Sequence, residues 1–349
     1  MPTLRSPGKY PGEPSCQVFC MRKQPTVSIP HRSSRGLPRR AQSGAPLASC
    51  VKRTTVESTS RLKLTKPFKA GTWNIRSLLG IGATRLLVAE IEKARVDIMG
   101  LQEVRWPDAG QVSVANHSIL WSGPPEGAIR QAGVALVLNK MSAAALLSWN
   151  PVSERLLFAK FKHRFGSLTV IVAYAPTNEA DEDVKDEFYQ SLDQISQSLS
   201  PAEVVLCLGD FNAVTGTSRD GYASVVGPHG SGMPNDNTER LLSFCAGAGL
   251  RIAGSWFERR TIHRNTWYSN DGHTCKEIDH ILVSTRWKAV QNCRVYRSLE
   301  FSTDHRPVVA TLAVKLRRPL LKTPAASARH NVKALSDPAL QLQFAVEVS

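Results

Sequence analysis

Apolar runs of six to nine residues recur along the chain from Phe68 onward: FKAGTW, VDIMGLQ, GVALVLN, RLLFAKF, SLTVIVAY, EVVLCLGD, EIDHILV and RPVVATLAV. Their length and β-branched content predict strands. Two intervening segments change period. TRLLVAEIEKA (84–94) and DVKDEFYQSLDQISQSL (183–199) place apolar residues three and four apart, which predicts amphipathic helices. Thr238 is the expected cap of a third helix, TERLLSFCAGAG, with Gly249 near its end. The RFG between RLLFAKF and LTVIVAY predicts an antiparallel hairpin. One Gly- and Asn-rich connection, 214–237, is longer than the roughly 15 residues that a structureless loop in a compact domain usually reaches, which points to function or disorder. Mixed strands and helices at this spacing imply sheets with helices packed outside.

Both ends lack this periodicity. Residues 1–66 are rich in Pro, Ser, Arg and Gly and read as a disordered basic arm; 67–317 reads as the folded domain and 318–349 as a poorly ordered tail. An organelle transit peptide is a second reading of the start, disfavoured by its Pro and Gly.

Composition sharpens the picture. Of 349 residues, 42% are hydrophobic, enough for a sizeable core, and no apolar run approaches the roughly 20 residues of a membrane span. The start has no continuous apolar stretch of secretory type. The net charge of +15 invites a nucleic-acid partner, but residues 1–70 hold 14 Lys/Arg against two acidic residues and 315–349 hold six against two. The body, 71–314, carries −1. The seven cysteines form no CxxC pair, which argues against a zinc site of ordinary spacing, and Cys207 within VVLCLGD reads as a buried thiol. An intracellular compartment is the expectation.

The chemistry-bearing residues fall at the ends of the apolar runs. Asn74 follows GTW, Glu103 follows IMGLQ, Tyr174 follows TVIVA, and Asp210 and Asn212 follow VVLCLG. Asp279 lies within EIDHILV, and Asp304 and His305 precede RPVVATL. Taken singly, each reads as a cap, a turn or a hydrogen-bonded structural group. Together they are the set that converges at one edge of a sheet, where ligands bind and chemistry is placed.

The segments TWNIRS, LQEVRW, YAPT, GDFNA, IDHILV and TDHRPV, spread over residues 68–314, resemble the endonuclease/exonuclease/phosphatase superfamily of Mg²⁺-dependent phosphodiesterases. WSGPP, YAPTN with FYQSL, and GPHGSGMPNDNTERLLSFC are similar to the endonuclease domains of non-LTR retrotransposons and to the craniofacial-development-protein-2-like group. The resemblance implies a DNase-I-like fold: an α/β two-layer sandwich of mixed β-sheets flanked by helices. It also implies a metal site at Glu103, with Asn74 beside it and Asp304 as a second contact, holding Mg²⁺ with Mn²⁺ as the alternative. Asp210 would then orient and deprotonate the attacking water, and Asn212 would hold the phosphate or that water. His305 would donate to a non-bridging oxygen, Asp279 would orient the imidazole or keep it charged, and Tyr174 would offer its phenol to the phosphate or transition state.

Three positions depart from the family pattern: Thr303 for Ser, Ala132 for Gly, and Thr238 for Gly. None removes a reacting group. Arg76 and Arg105 read either as phosphate contacts or as solvated charge, and Trp267 as a core residue, as packing beneath the site, or as a surface for a nucleotide. GPHGSGMPNDN lacks the Lys-Ser/Thr ending of a P-loop and reads as a DNA-facing loop. The resulting expectation is a DNA endonuclease, a nickase of retrotransposon type, with DNA as partner, no membrane, and a nuclear location. Too little chain follows the motifs for a reverse transcriptase, so target-primed insertion would use a separate one or does not occur. Two alternatives stand beside it: another phosphodiesterase of the superfamily (abasic-site nuclease, deadenylase or lipid phosphatase), and a binding protein that keeps the fold without catalysis.

Overall fold

In a computed structural model of the chain, the residues described are 67–163, 166–286 and 289–313, with 54–55, 61–62 and 338. One seven-stranded sheet runs, edge to edge, Thr54–Thr55, Leu146–Ser153, Leu156–His163, Gly166–Tyr174, Val204–Asp210, Asp279–Ser284 and Leu250–Ile252. A second runs Val290–Val295, Val308–Leu312, Phe68–Asn74, Ile98–Gln102, Val134–Asn139, His117–Ser122 and Ala109–Val114. Each contains one parallel pair among antiparallel neighbours: Gly166–Tyr174 with Val204–Asp210, and Phe68–Asn74 with Ile98–Gln102.

Those two pairs fix the rest of the architecture. Parallel strands need a crossover, and a helix supplies each one: Ala83–Lys93 and Glu182–Gln197. The first buries Leu87, Val88 and Ile91 against Trp73, Met99 and Leu101, and the second buries Phe188, Leu192 and Ile195 against Ile171 and Cys207. A third helix, Asp236–Gly247, covers the same outer face as the second. The strand IMGLQ shows how one segment serves two layers. Met99 and Leu101 face the helix, while Ile98, Gly100 and Gln102 face the other sheet. A Cβ on Gly100 would lie 2.9 Å from Leu208 Cβ, so the side-chain-free position lets the sheets close. The layer between them is filled by Ala70, Ile98 and Leu136 from one sheet and Val170, Val172, Leu206 and Leu208 from the other. This is the expected α/β two-layer sandwich of mixed sheets with helices outside.

The helices fall within two residues of the expected spans, and the hairpin through RFG forms, with Leu156–His163 antiparallel to Gly166–Tyr174. The cap of the third helix is Asn235, not Thr238. The Asn235 side chain accepts from the Thr238 backbone N–H, and the Thr238 hydroxyl accepts from the Asn235 backbone N–H, so Thr238 is the inner half of a capping box. Gly249, at φ +63°, takes the left-handed turn just past that helix. Segment 214–237 has no strand but is tied down: Gly216 N–H donates to Ser231 O, Ser231 N–H donates to Thr215 Oγ1, and Val225 and Val226 are buried. Cys207 is buried, and burial pushes its thiol well up.

The boundary at 67 moves outward. Thr54–Thr55 pairs with Trp149 and Ser148, and Leu62 bridges to His163 and is 4% exposed in the inter-sheet core. The domain's edge therefore takes in part of the stretch read as an arm. The remainder of 1–66, and 314–349 apart from residue 338, lie outside the described residues. Among the described residues no helix is long and apolar enough to cross a membrane.

Candidate active site

Both parallel pairs end at the same edge of the sandwich, which brings polar residues from two sheets together. Asn74 closes one strand and Gln102, with Glu103 next, closes its partner; Tyr174 and Asp210 close the other pair in direct register. Asp279 stands opposite Asp210 on the antiparallel neighbour. Ligand sites outside the carboxyl ends of parallel strands follow from this layout, because the backbone fixes the side chains while the loops leave the ends open.

Asn74 joins the two sheets chemically. Its amide nitrogen donates to Glu103 Oε1 and to Asp210 Oδ2, each at 2.9 Å, and its Oδ1 accepts from the Arg76 N–H at 3.0 Å. Tyr174 donates its hydroxyl to the same Glu103 Oε1 at 3.1 Å. Burial first, then the Glu103 and Asp210 carboxylates, push the Tyr174 phenol far up, so it serves as a neutral donor. Glu103 itself sits at φ +56°, a conformation that costs a non-glycine residue about 1–2 kcal/mol. The turn is held by Val104 N–H to Gly133 O and Arg105 N–H to Ala132 O, both at 3.0 Å.

Asp210 is 2% exposed, and its Oδ1 accepts from the Asn212 N–H at 3.0 Å. Burial, reinforced by the Asp279 charge, raises its pKa to about 7, against the pull of His305, Asn74 and the Asn212 N–H. His305 Nδ1 lies 2.9 Å from Asp279 Oδ2, and its Nε2 lies 4.0 Å from Asp210 Oδ2. Burial opposes a charge on the imidazole, but Asp279, then Asp210 and Asp304, lift its pKa to about 9. At neutral pH it is an imidazolium directed at Asp210. Asp279 is positioned in turn by Thr266, whose Oγ1 accepts from the N–H groups of Ile278 and Asp279 at 3.1 Å each.

Seven of the eight residues singled out from the sequence line one cavity of about 720 Å³: Asn74, Glu103, Tyr174, Asp210, Asn212, Asp304 and His305. Asp279 stands behind His305. Arg76 and Arg105 pair with site carboxylates, Arg76 with Asp304 at 3.4 Å and Arg105 with Glu103 Oε2 at 2.9 Å. Trp267 forms part of the wall, is half-buried, and donates Nε1–H to Asp304 Oδ2 at 3.0 Å. The loop read as DNA-facing contributes Ser231, Gly232, Met233 and Asn235 to the lining, with Met233 90% exposed. Sequence reasoning missed Thr266 and Lys276. A Thr in a polar run and a Lys near a strand carry no signal of their own.

The three departures from the family pattern find their reasons here. The Thr303 hydroxyl donates to Asn74 O at 2.9 Å and accepts from the His305 N–H at 3.2 Å, so the hydroxyl does the work. Ala132 acts through its carbonyl, and Thr238 through its capping box.

The site fits a hard cation. Its lining carries five carboxylates (Glu103, Glu179, Asp210, Glu277, Asp304) against Arg76, Lys276 and His305, an excess of negative charge that would repel an anionic substrate without an added cation. The donors at Glu103 and Asp304 are oxygens, as Mg²⁺ and Mn²⁺ prefer, and Asp304 Oδ1 is buried without a hydrogen-bond partner; Asn74 lies beside them with its amide nitrogen on Glu103 and its oxygen on the Arg76 N–H. Asp210, Asp279 and His305 also cluster with ligand atoms within 4.8 Å, but the imidazolium already fills the cationic place among those two carboxylates.

The sequence pattern of the endonuclease/exonuclease/phosphatase family matches residues 71–305. The chain is 31% identical to craniofacial development protein 2 from Bos taurus over 248 residues, 71% of this chain and 41% of that protein, so it spans less than half of that relative's length. Among solved structures it resembles the endonuclease domain of TRAS1, a telomere-specific non-LTR retrotransposon, with a TM-score of 0.53, 14% identity, and coverage of 72% of this chain and 100% of that one. It also resembles the AP endonuclease LMAP from Leishmania major, with a TM-score of 0.55, 14% identity, and coverage of 75% and 93%.

Proposed function

Because the chain belongs to the endonuclease/exonuclease/phosphatase family, we propose that it is a divalent-cation-dependent DNA endonuclease that nicks one strand, of the retrotransposon type. The observation that carries this reading is the line Asp279–His305–Asp210, joined through Asn74 to Glu103 at the floor of one open cavity.

A phosphodiester resists water because its negative charge repels the nucleophile and the transition state gathers more charge. Glu103 and Asp304, with Asn74 beside them, would hold Mg²⁺ or Mn²⁺, and the cation would supply positive charge to the phosphoryl oxygens and relieve the acidic excess of the cavity. Asp210, with a pKa near neutrality, accepts the proton of the attacking water as the water oxygen bonds to phosphorus. The bond from phosphorus to the leaving sugar oxygen breaks, its electron pair departs with that oxygen, and solvent supplies the proton. The His305 imidazolium donates through Nε2 to a non-bridging oxygen, held in that orientation by Asp279. Tyr174 and Asn74 keep Glu103 in place, and Asn212 lines the cavity wall, its amide nitrogen donating to Ala175 O at 2.9 Å.

Membership of the endonuclease/exonuclease/phosphatase family supports phosphodiester hydrolysis without naming the substrate, so the substrate is what the experiment addresses. With a body charge of −1, DNA affinity would come from the bound cation, local arginines and the basic residues at the two ends. On this reading the protein works in the nucleus. A cleavage panel of plain duplex, abasic duplex, poly(A) and a lipid headgroup, each with Mg²⁺ and with EDTA, tests the assignment. Mg²⁺-dependent nicking of plain duplex is the expected result. Preferential cleavage of abasic duplex, poly(A) or headgroup would replace DNA nicking with that activity.

A further inference from the structure

Glu103 presents its two carboxylate oxygens to different partners. Oε1 accepts from Asn74 Nδ2 at 2.9 Å and from the Tyr174 hydroxyl at 3.1 Å, both neutral groups that hold the side chain in place. Oε2 is taken by a charge, the Arg105 guanidinium, also at 2.9 Å. We propose that Arg105 is the internal counter-ion of the cation-binding carboxylate: it occupies Glu103 until a divalent cation arrives, competes with that cation for the same oxygen, and thereby sets the protein's cation affinity. This rests on the reading that Glu103 binds the cation.

The local backbone is shaped for the pairing. Glu103 and Arg105 both take left-handed conformations, φ +56° and +61°, with Val104 between them. The Arg105 N–H is fixed to Ala132 O, and Gly133 passes so close that a Cβ there would lie 3.0 Å from the Arg105 nitrogen. An arginine kept as a permanent structural partner usually engages a carboxylate with two parallel bonds. Arg105 makes one, from a single terminal nitrogen, and its Nε is buried with no hydrogen-bond partner. Its side chain is 32% exposed, so it has a route into solvent. A single-point pair with an unspent donor and an open path is one that a competing charge can displace.

The consequence has an unusual sign. Neutralising a residue beside a metal ligand commonly weakens metal binding by disordering the ligand. Here Tyr174 and Asn74 hold the carboxylate on their own, so removing the guanidinium removes only the competitor and the repulsion between like charges. Cation binding should tighten by about three- to tenfold, the scale expected of partly solvent-screened charges a few Å apart.

The test is calorimetric titration of the full chain, stripped with EDTA and free of DNA, with Mg²⁺ and separately with Mn²⁺. Arg105→Gln and Arg105→Met should lower the cation Kd by about three- to tenfold, while Arg105→Lys, which keeps the charge, should stay near wild type. The metal-free neutral variants should also melt below wild type, with the gap narrowing at saturating Mg²⁺. An unchanged or raised Kd in both neutral variants would overturn the proposal. Cation binding that survives Glu103→Gln at full strength, or wild-type protein that binds no cation, would overturn the assignment of Glu103 and the proposal with it.

Discussion

His305 Nδ1 lies 2.9 Å from Asp279 Oδ2, and both side chains are almost wholly withdrawn from solvent. A buried imidazole would ordinarily be neutral; next to this carboxylate it is charged, with its pKa lifted to about 9. Asp279→Asn should therefore lower kcat by about 10²–10⁴-fold, the range of a lost acid–base contribution. Removing the charge that raises the His305 pKa should also move the alkaline limb of the rate profile to lower pH. The pH profile of single-turnover cleavage for both proteins checks this.

Asp210 carries the opposite limb. Its raised pKa, about 7 in the cation-free protein, means the carboxylate is half-protonated near neutrality and gains basicity as pH rises. Cleavage should climb with pH through an acid limb at or below about 7, since a nearby cation favours the carboxylate, and fall above about 9 as His305 loses its proton. Carboxyl ¹³C NMR of the metal-free protein should find Asp210 titrating well above an ordinary Asp. An ordinary value would remove its standing as a base tuned to neutrality.

Tyr174→Phe separates positioning from folding. It deletes one donor to Glu103 Oε1 and leaves a ring of the same shape among the same neighbours. Stability should change by no more than about 1.5 kcal/mol, as for a single net hydrogen bond, while the cleavage rate should drop at least tenfold. Thermal melts and cleavage assays on one preparation decide between this and a purely structural phenol.

Two positions test the sandwich itself. Gly100→Ala drives a methyl to within 2.9 Å of Leu208 Cβ and should cost about 1–3 kcal/mol by overpacking between the sheets. Leu62→Ala should cost about 2 kcal/mol or more if the inter-sheet core begins before residue 67, and close to nothing if the leucine is solvated. Denaturant unfolding of each variant supplies both numbers.

The strands that bear the site were legible because they are buried on both faces, so they read as continuous apolar runs with a polar residue at the strand's end. Asn74, Glu103, Tyr174 and Asp210 follow that rule. Edge strands obey another. Ala109–Val114 is largely exposed and Val290–Val295 alternates through Gln, Asn and Arg, so neither stands out from a loop in the sequence, although both complete the second sheet. Leu146–Ser153 was hidden by its Asn and Pro. Within the site, residue identities were legible and pairings were not. No spacing rule places Thr266 under Asp279 or the Arg105 guanidinium on Glu103, since one depends on two segments meeting and the other on two left-handed residues in a turn. Asn235 was passed over as a cap because Thr238, three residues later, satisfies the same preference; the two share the motif.

Hydrolysis of a DNA phosphodiester in this cavity, as proposed, depends on a divalent cation, Asp210 and His305. Nicking of supercoiled plasmid by the full chain, with Mg²⁺ and with EDTA, measures it directly when run beside Asp210→Asn and His305→Ala proteins of unchanged fold. The expected result is Mg²⁺-dependent conversion to the open circle by wild type, abolished by EDTA and reduced at least 10²-fold in each variant. Nicking that persists in EDTA, or that both variants perform at the wild-type rate, would contradict it.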